Sequence, residues 1–258
     1  MYPVLFKISS IEVRSYYVLW TFALLLFILW TRKRSVGRFR ISWESASSVI
    51  LWIYIAAILG ASAGSVLEKV PMWLAKDIGA RDMLKGGMSS ASGLLCGGLA
   101  GFYRLKKLNI PVDDFAEASS VPLAFMIAIG RVGCFLNGCC LGIGRFFAGS
   151  PPLCAAHFPF DAEGFYRFPS QLAESAAAFA IGAVMVAAER IMDRRGVKAN
   201  GAVLFPLFLV LYGAYRFAFE ALRVNEWPAD PNAARYMYAA CVVLGGVWLA
   251  RTAKITRG

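Results

Sequence analysis

AFMIAIGRVGCFLNG (residues 124–138) and VLFPLFLVLYGAYRFAFEALR (residues 203–223) each carry an arginine inside an apolar run, Arg131 and Arg216. A guanidinium stays charged at any working pH, and one at the centre of a bilayer costs about 2.5–3.5 kcal/mol by insertion scales. Two such residues imply something anionic for them to hold. The surrounding runs are long enough to cross a bilayer, which needs about 20 apolar residues, and similar runs recur along the whole chain. The 258 residues are 59% hydrophobic and 17% charged, with mean hydropathy +0.58. A soluble domain of this length is closer to half apolar and a quarter charged. The sequence therefore predicts an all-α integral membrane protein, a single polytopic transmembrane domain over 1–258.

Seven spans are predicted, over 15–31, 46–67, 86–103, 115–138, 170–190, 201–222 and 235–250. The stretch before the first is polar and lacks a small-residue cleavage site, so that span reads as retained rather than as a removed signal peptide. Basic residues cluster at span ends: RKRSVGRFR (32–40), RLKK (104–107), RIMDRRGVK (190–198) and RTAKITR (251–257). These four loops share one face and hold 15 Lys or Arg, against 10 in the opposite set, which is about twice as long. The positive-inside rule then predicts the N-terminus outside and the C-terminus cytoplasmic. The net charge of +11 is thus a membrane-face signal; no contiguous basic face interleaved with aromatics points to nucleic acid. In this topology Arg131 and Arg216 both lie about two helical turns below the outer surface, which predicts one shared site.

The glycines of GRVGCFLNGCCLGIG (130–144) fit either close helix packing or the wrapping of a phosphate by a Gly-rich helix end. Arg131 within the run favours the anion. Arg216, Glu220 and Arg223 recur at i, i+4 and i+7, which predicts one helix face with two cations for one carboxylate. Arginine forks match phosphate oxygens, so a phosphodiester is the expected ligand. At 169–175, PSQLAES reads as a helix start, with Gln171 and Glu174 requiring buried partners. The Gly- and Ser-rich start of the third span fits either tight packing or a polar wall. One histidine, His157, and no carboxylate cluster weigh against a metal site, and no motif for a cofactor is present. Among the cysteines, Cys154 is within loop reach of Cys139 or Cys140 for a disulfide if that face is oxidising; Cys134 reads equally as a small packed hydrophobe.

Taken together and in this order, these motifs resemble the prolipoprotein diacylglyceryl transferase family of bacterial inner-membrane enzymes. GRVGCFLNG resembles the family's G-R-[IV]-G-N-F-x-N-G-E, PSQLAE its H-P-S-Q-L-Y-E, and YGAYRFAFEALR (212–223) its Y-G-x-x-R-x-x-x-E-x-x-R. VRSYYVLW (13–20) corresponds to a first-span stretch with a functional tyrosine, here Tyr16. The resemblance implies transfer of the diacylglyceryl group of phosphatidylglycerol to the lipobox cysteine of a preprolipoprotein, with no cofactor. It implies that Arg131 and Arg216 hold the phosphate, and that Tyr16, Asn137, Gly142, Gln171, Glu220 and Arg223 line the headgroup site. The chain departs from the pattern at several points. The family histidine falls at Ala91, its first signature asparagine at Cys134, its signature glutamate at Cys139, and the histidine before P-S-Q at Phe168. These departures mark a diverged GCFLNGCC-type paralogue. They leave open a different acceptor or a non-catalytic phospholipid-binding protein; a small-anion transporter is disfavoured, because no second set of charges marks an inward path.

Overall fold

The computed structural model describes residues 4–8, 11–76, 78–79, 81–82, 88–147, 149–152, 154–196, 202–224 and 231–257. Among the described residues, the seven long α-helices are α1 (Ser15–Gly37), α2 (Trp43–Leu74), α3 (Ser90–Lys107), α4 (Val112–Asn137), α5 (Ser170–Arg194), α6 (Leu204–Phe219) and α7 (Pro231–Arg257). Two short antiparallel hairpins add β1 (Val4–Ile8) with β2 (Ile11–Arg14), and β3 (Gly144–Phe146) with β4 (Phe165–Arg167). Among the described residues, six helices are long and apolar enough to cross a membrane. Large apolar side chains such as Leu29, Leu59, Val243 and Val247 are more than 60% exposed on them, as suits a surface solvated by lipid. The chain is a multi-pass membrane protein. The sequence predicted a seventh span over 86–103; α3 begins only at Ser90, and its last turn carries Arg104, Lys106 and Lys107, so little uninterrupted apolar length remains. The first residues of the spans predicted from 86 and from 201 lie outside the described residues.

Packing divides the chain into two compact units, residues 32–116 and residues 1–31 with 117–258. In the first, α2 and α3 meet along glycines. A Cβ at Gly93 would lie 3.0 Å from the Ala57 carbonyl oxygen, and one at Gly97 3.2 Å from that of Ile53. Cβ atoms at Gly60 and Gly64 would overlap Cys96 and Ser92. The small residues that start the third span therefore serve close backbone approach, the usual basis of helix association in lipid. Ile41, Ala46, Val49, Leu105 and Phe115 form the core of this unit.

In the second unit, Val121 and Ala124 of α4, Ile181 and Met185 of α5, and Leu204 and Phe208 of α6 form the core. Polar contacts fix how these helices sit. The Ser175 hydroxyl donates to the Ala128 carbonyl oxygen at 2.7 Å, tying α5 to α4. Glu117 accepts the backbone N–H groups of Val203, Leu204 and Phe205 at 2.8–3.2 Å. Those donors have no partner inside α6, because the first turn of any helix leaves its N–H groups free. A carboxylate there satisfies them and complements the helix dipole. Along α6 and α7, Gly213 and Gly245 make the seam, with Cβ positions 3.1 Å from the Tyr238 carbonyl oxygen and 2.7 Å from that of Pro206.

Candidate functional site

Helix α4 ends in a Schellman cap. Gly138 takes φ +71°, its N–H bonds the Phe135 carbonyl at 3.2 Å, and the Cys139 N–H bonds the Cys134 carbonyl at 3.2 Å. Such a cap needs a left-handed residue, for which glycine has no Cβ penalty. Cys140 then also turns left-handed, at φ +56°. The loop is held from α5, where Ser170 Oγ donates to the Cys140 carbonyl at 2.9 Å and Gln171 Nε2 to that of Cys139 at 2.6 Å. The chain continues through Gly142, which pairs with Arg223 in an isolated antiparallel bridge.

One turn into α5 lies Glu174, only 2% exposed, and it is the hub of the site. Its Oε1 lies 2.9 Å from Arg131 Nε and accepts the Tyr212 hydroxyl at 2.5 Å. Its Oε2 accepts Arg216 Nη1 at 2.7 Å, and Arg223 Nη1 stands 3.8 Å away. Arg216 Nη2 also donates to Glu220 Oε2 at 2.8 Å and to the Tyr238 hydroxyl at 2.7 Å, with its guanidinium carbon 4.7 Å over the Tyr238 ring centroid. Three guanidiniums thus share two carboxylates, leaving one positive charge beyond neutrality. Unpaired charges inside a membrane protein are costly and mark functional sites. The Nε–H of Arg216 is buried with no partner among the described residues, as are Trp20 Nε1 and Gln171 Oε1. Two buried donors and one acceptor are therefore left over, although buried polar groups are nearly always paired.

The convergence of Arg131 and Arg216 anticipated from the sequence is present, on a carboxylate that the sequence reading did not place among the site residues. Glu174 was recognised only as needing a buried partner, and Tyr212 and Tyr238 were not singled out. The predicted single face for Arg216, Glu220 and Arg223 holds only in part. Helix α6 ends at Phe219, Glu220 begins a 3₁₀ turn through Leu222, and Arg223 is extended. The reason is tertiary pairing: Ile143 N–H bonds the Leu222 carbonyl at 2.9 Å and Val224 N–H that of Leu141 at 3.0 Å. Strand-like pairing with the loop pulls Arg223 out of the helix and still turns it towards Glu174.

The remaining predicted residues fall around this hub. Tyr16 opens α1, where Gly133 packs against its backbone and Gly130 against the Trp20 ring. These two glycines serve helix packing rather than a phosphate cradle. Asn137 is the last residue of α4. A Cβ at Gly142 would overlap the Phe168 carbonyl oxygen and lie 3.1 Å from that of Leu222, so this position must be bare for three backbones to meet. All six cysteines are free thiols, and exposed Cys154 bridges neither Cys139 nor Cys140. Cys134, Cys139 and Cys140 converge instead, their sulfurs within 4.8 Å of one another. Hydrogen bonds from Cys134 and Cys139, with Arg131 and Arg223 facing it, hold the Cys140 thiol well below the usual range. Hydrogen bonding to Cys134 and Cys140 pushes Cys139 up. His157 is turned to the backbone, with Nδ1 2.9 Å from the Phe165 carbonyl oxygen. Ala91, at the position of the family histidine, is an exposed residue in the first turn of α3. Beside the cap loop, a cavity of about 320 Å³ is lined by Ile143, Arg145, Cys154, Tyr166, Phe168 and Leu222 among others.

Three arginines gathered on two buried carboxylates mark the site of this multi-pass membrane protein. The family model described as prolipoprotein diacylglyceryl transferase matches residues 3–252, and the chain belongs to that family. It is 34% identical over 238 residues to the phosphatidylglycerol–prolipoprotein diacylglyceryl transferase of Dechloromonas aromatica (strain RCB), covering 86% of this chain and 82% of that one. The enzymes of the same name from Geobacter sulfurreducens and Ehrlichia canis are 30% and 29% identical, over 86% and 85% of this chain and 82% of each relative.

Proposed function

We propose that this protein transfers the diacylglyceryl group of phosphatidylglycerol to an acceptor thiol, by default the lipobox cysteine of a preprolipoprotein signal peptide. The reaction would run at the outer leaflet of a bacterial inner membrane, with the N-terminus outside. The observation that carries this reading is the excess guanidinium around Glu174, together with the unpaired Nε–H of Arg216. A phosphodiester supplies the acceptors these donors lack, and a glycerol hydroxyl supplies a donor for Gln171 Oε1. Arg131 and Arg216 are the catalytic pair. As the glyceryl carbon–oxygen bond breaks, charge gathers on the leaving phosphate, and preorganised donors stabilise that charge most when it is greatest. Glu174 and Glu220 orient the forks, Arg223 adds a third cation, and Tyr16, Asn137, Gly142 and Gln171 complete the headgroup site. The thiol nucleophile arrives with the acceptor, so no nucleophile of the protein is needed.

A second reading, a phospholipid-binding protein without catalysis, is favoured by Ala91, which cannot accept a proton. Reconstitution with labelled phosphatidylglycerol and a lipobox peptide separates the two. Thioether-linked diacylglyceryl peptide, lost in Arg131→Ala and Arg216→Ala, is the expected result. Arginine-dependent lipid binding without product would leave only the binder.

A further inference from the structure

We propose that Cys134, Cys139 and Cys140 form a three-thiolate site for a soft metal ion of the zinc class, whose open fourth position receives the acceptor thiol. The geometry follows from the helix cap. A Schellman motif brings the residue two beyond the helix end over the one three positions before that end, normally as a hydrophobic contact. Here those residues are Cys139 and Cys134, and the Cys139 sulfur reaches within 3.6 Å of the Cys134 carbonyl oxygen. The left-handed turn at Cys140 folds the third thiol back onto the other two. Ser170 and Gln171 pin both loop carbonyls, so the arrangement is held from a second helix.

A zinc–sulfur bond of about 2.3 Å puts ligand sulfurs of one tetrahedron about 3.8 Å apart, within the mutual 4.8 Å limit that the three sulfurs already meet. Weighing histidines and carboxylates alone hid this site in the sequence, because three thiols can do the same work. Cys134 is buried while Cys139 and Cys140 are half-buried, which leaves one side open. A site with three protein ligands and one free position is the form that catalytic zinc takes. Three thiolates and a divalent cation sum to one negative charge, and Arg131 and Arg223 face it.

The metal's role rests on the transfer reaction proposed above and supplies what that reaction lacks. Within the unit of residues 1–31 and 117–258, Glu174 and Glu220 are both engaged by arginine, and His157 is turned to the backbone. A thiol that binds zinc is deprotonated outright. The acceptor would release its proton to water on coordination, and its sulfur would then attack the glyceryl carbon. A carbon–sulfur bond forms, the carbon–oxygen bond to phosphate breaks, and that electron pair leaves on glycerol phosphate. The neutral thioether is a weak ligand and departs.

Cobalt(II) titration of the full chain, purified reduced in detergent, tests the site directly. One cobalt per chain is expected, with a thiolate charge-transfer band and the intense visible bands of a tetrahedral ion. Cys134→Ser, Cys139→Ser and Cys140→Ser should each weaken binding roughly 100-fold or more, beyond the losses seen when ligand-supporting groups are removed. Cys154→Ser should change nothing. A lipobox peptide should shift the visible bands, and its Cys-to-Ser version should not. Absence of the bands, or a disulfide among the three cysteines that survives in the cobalt-treated protein, would overturn the site. Transfer that persists in metal-free protein would overturn its role and leave the transferase standing. Cobalt bound with thiol-dependent shifts but no lipid product would remove the transferase reading and keep the metal site.

Discussion

Arg131 and Arg216, on different helices, bind the two oxygens of a single buried carboxylate, Glu174, at 2.9 and 2.7 Å. One acid therefore sets the separation and tilt of both guanidiniums. Glu174→Gln keeps the shape and removes the charge that holds the cations together. Breaking a buried ion network by removing one partner costs about 3–5 kcal/mol, so the unfolding midpoint in detergent should fall clearly. Lipid transfer should drop at least about 100-fold, the scale of one lost transition-state donor, while phosphatidylglycerol still binds. Wild-type turnover in this variant would show that the arginines are not positioned by Glu174.

Arg216→Lys retains the charge and discards the planar fork, including the buried Nε–H that lacks a partner. Lysine presents a point charge and is not equivalent at a bidentate site. Its kcat should fall by about 10²-fold, as for a lost oxyanion donor, with a smaller change in KM. A lysine variant above a tenth of wild-type rate would remove the fork from the mechanism.

Glu117→Ala removes the acceptor of three N–H groups at the start of α6. Buried donors left unsatisfied cost about 1–3 kcal/mol each, so thermal stability in detergent should fall. Hydrogen exchange should accelerate at Val203, Leu204 and Phe205 well before it does elsewhere in α6. Uniform protection across α6 in the variant would contradict this account.

Gly142→Ala places a methyl where the Phe168 carbonyl oxygen already sits. Backbone has little room to give, and overpacking of this kind costs about 1–3 kcal/mol. Protease sensitivity of the loop over 139–147 should rise, and activity should fall with it. Gly37→Ala, where no atom lies within 4 Å, is the matched control and should leave both unchanged.

Much of the site was legible in the sequence because the bilayer enforces it. Charge in an apolar run needs a reason, and counting residues from the span ends set Arg131 and Arg216 at one depth. The geometry around Arg223 was not legible, since its helix ends early through pairing with a loop more than 70 residues away in sequence. The cysteine cluster depends on the cap at Gly138 and the left-handed turn at Cys140, and spacing alone did not expose either. The small residues of the third span fitted two readings until the opposing glycines of α2 were seen across from them.

Glu117 fastens α6 to α4 at one end, and Glu174 fastens the same two helices at the other. From Glu117 to Arg131 the rise is about 21 Å, and from Leu204 to Arg216 about 18 Å. The two helices therefore act as a pair of matched rulers read from a common zero, and their agreement decides whether the arginines meet. A one-residue insertion in either, anywhere between the fastenings, would advance its arginine by about 1.5 Å and swing it by about 100°. The length of α4 and α6 is consequently as much a determinant of this site as the identity of any residue in it.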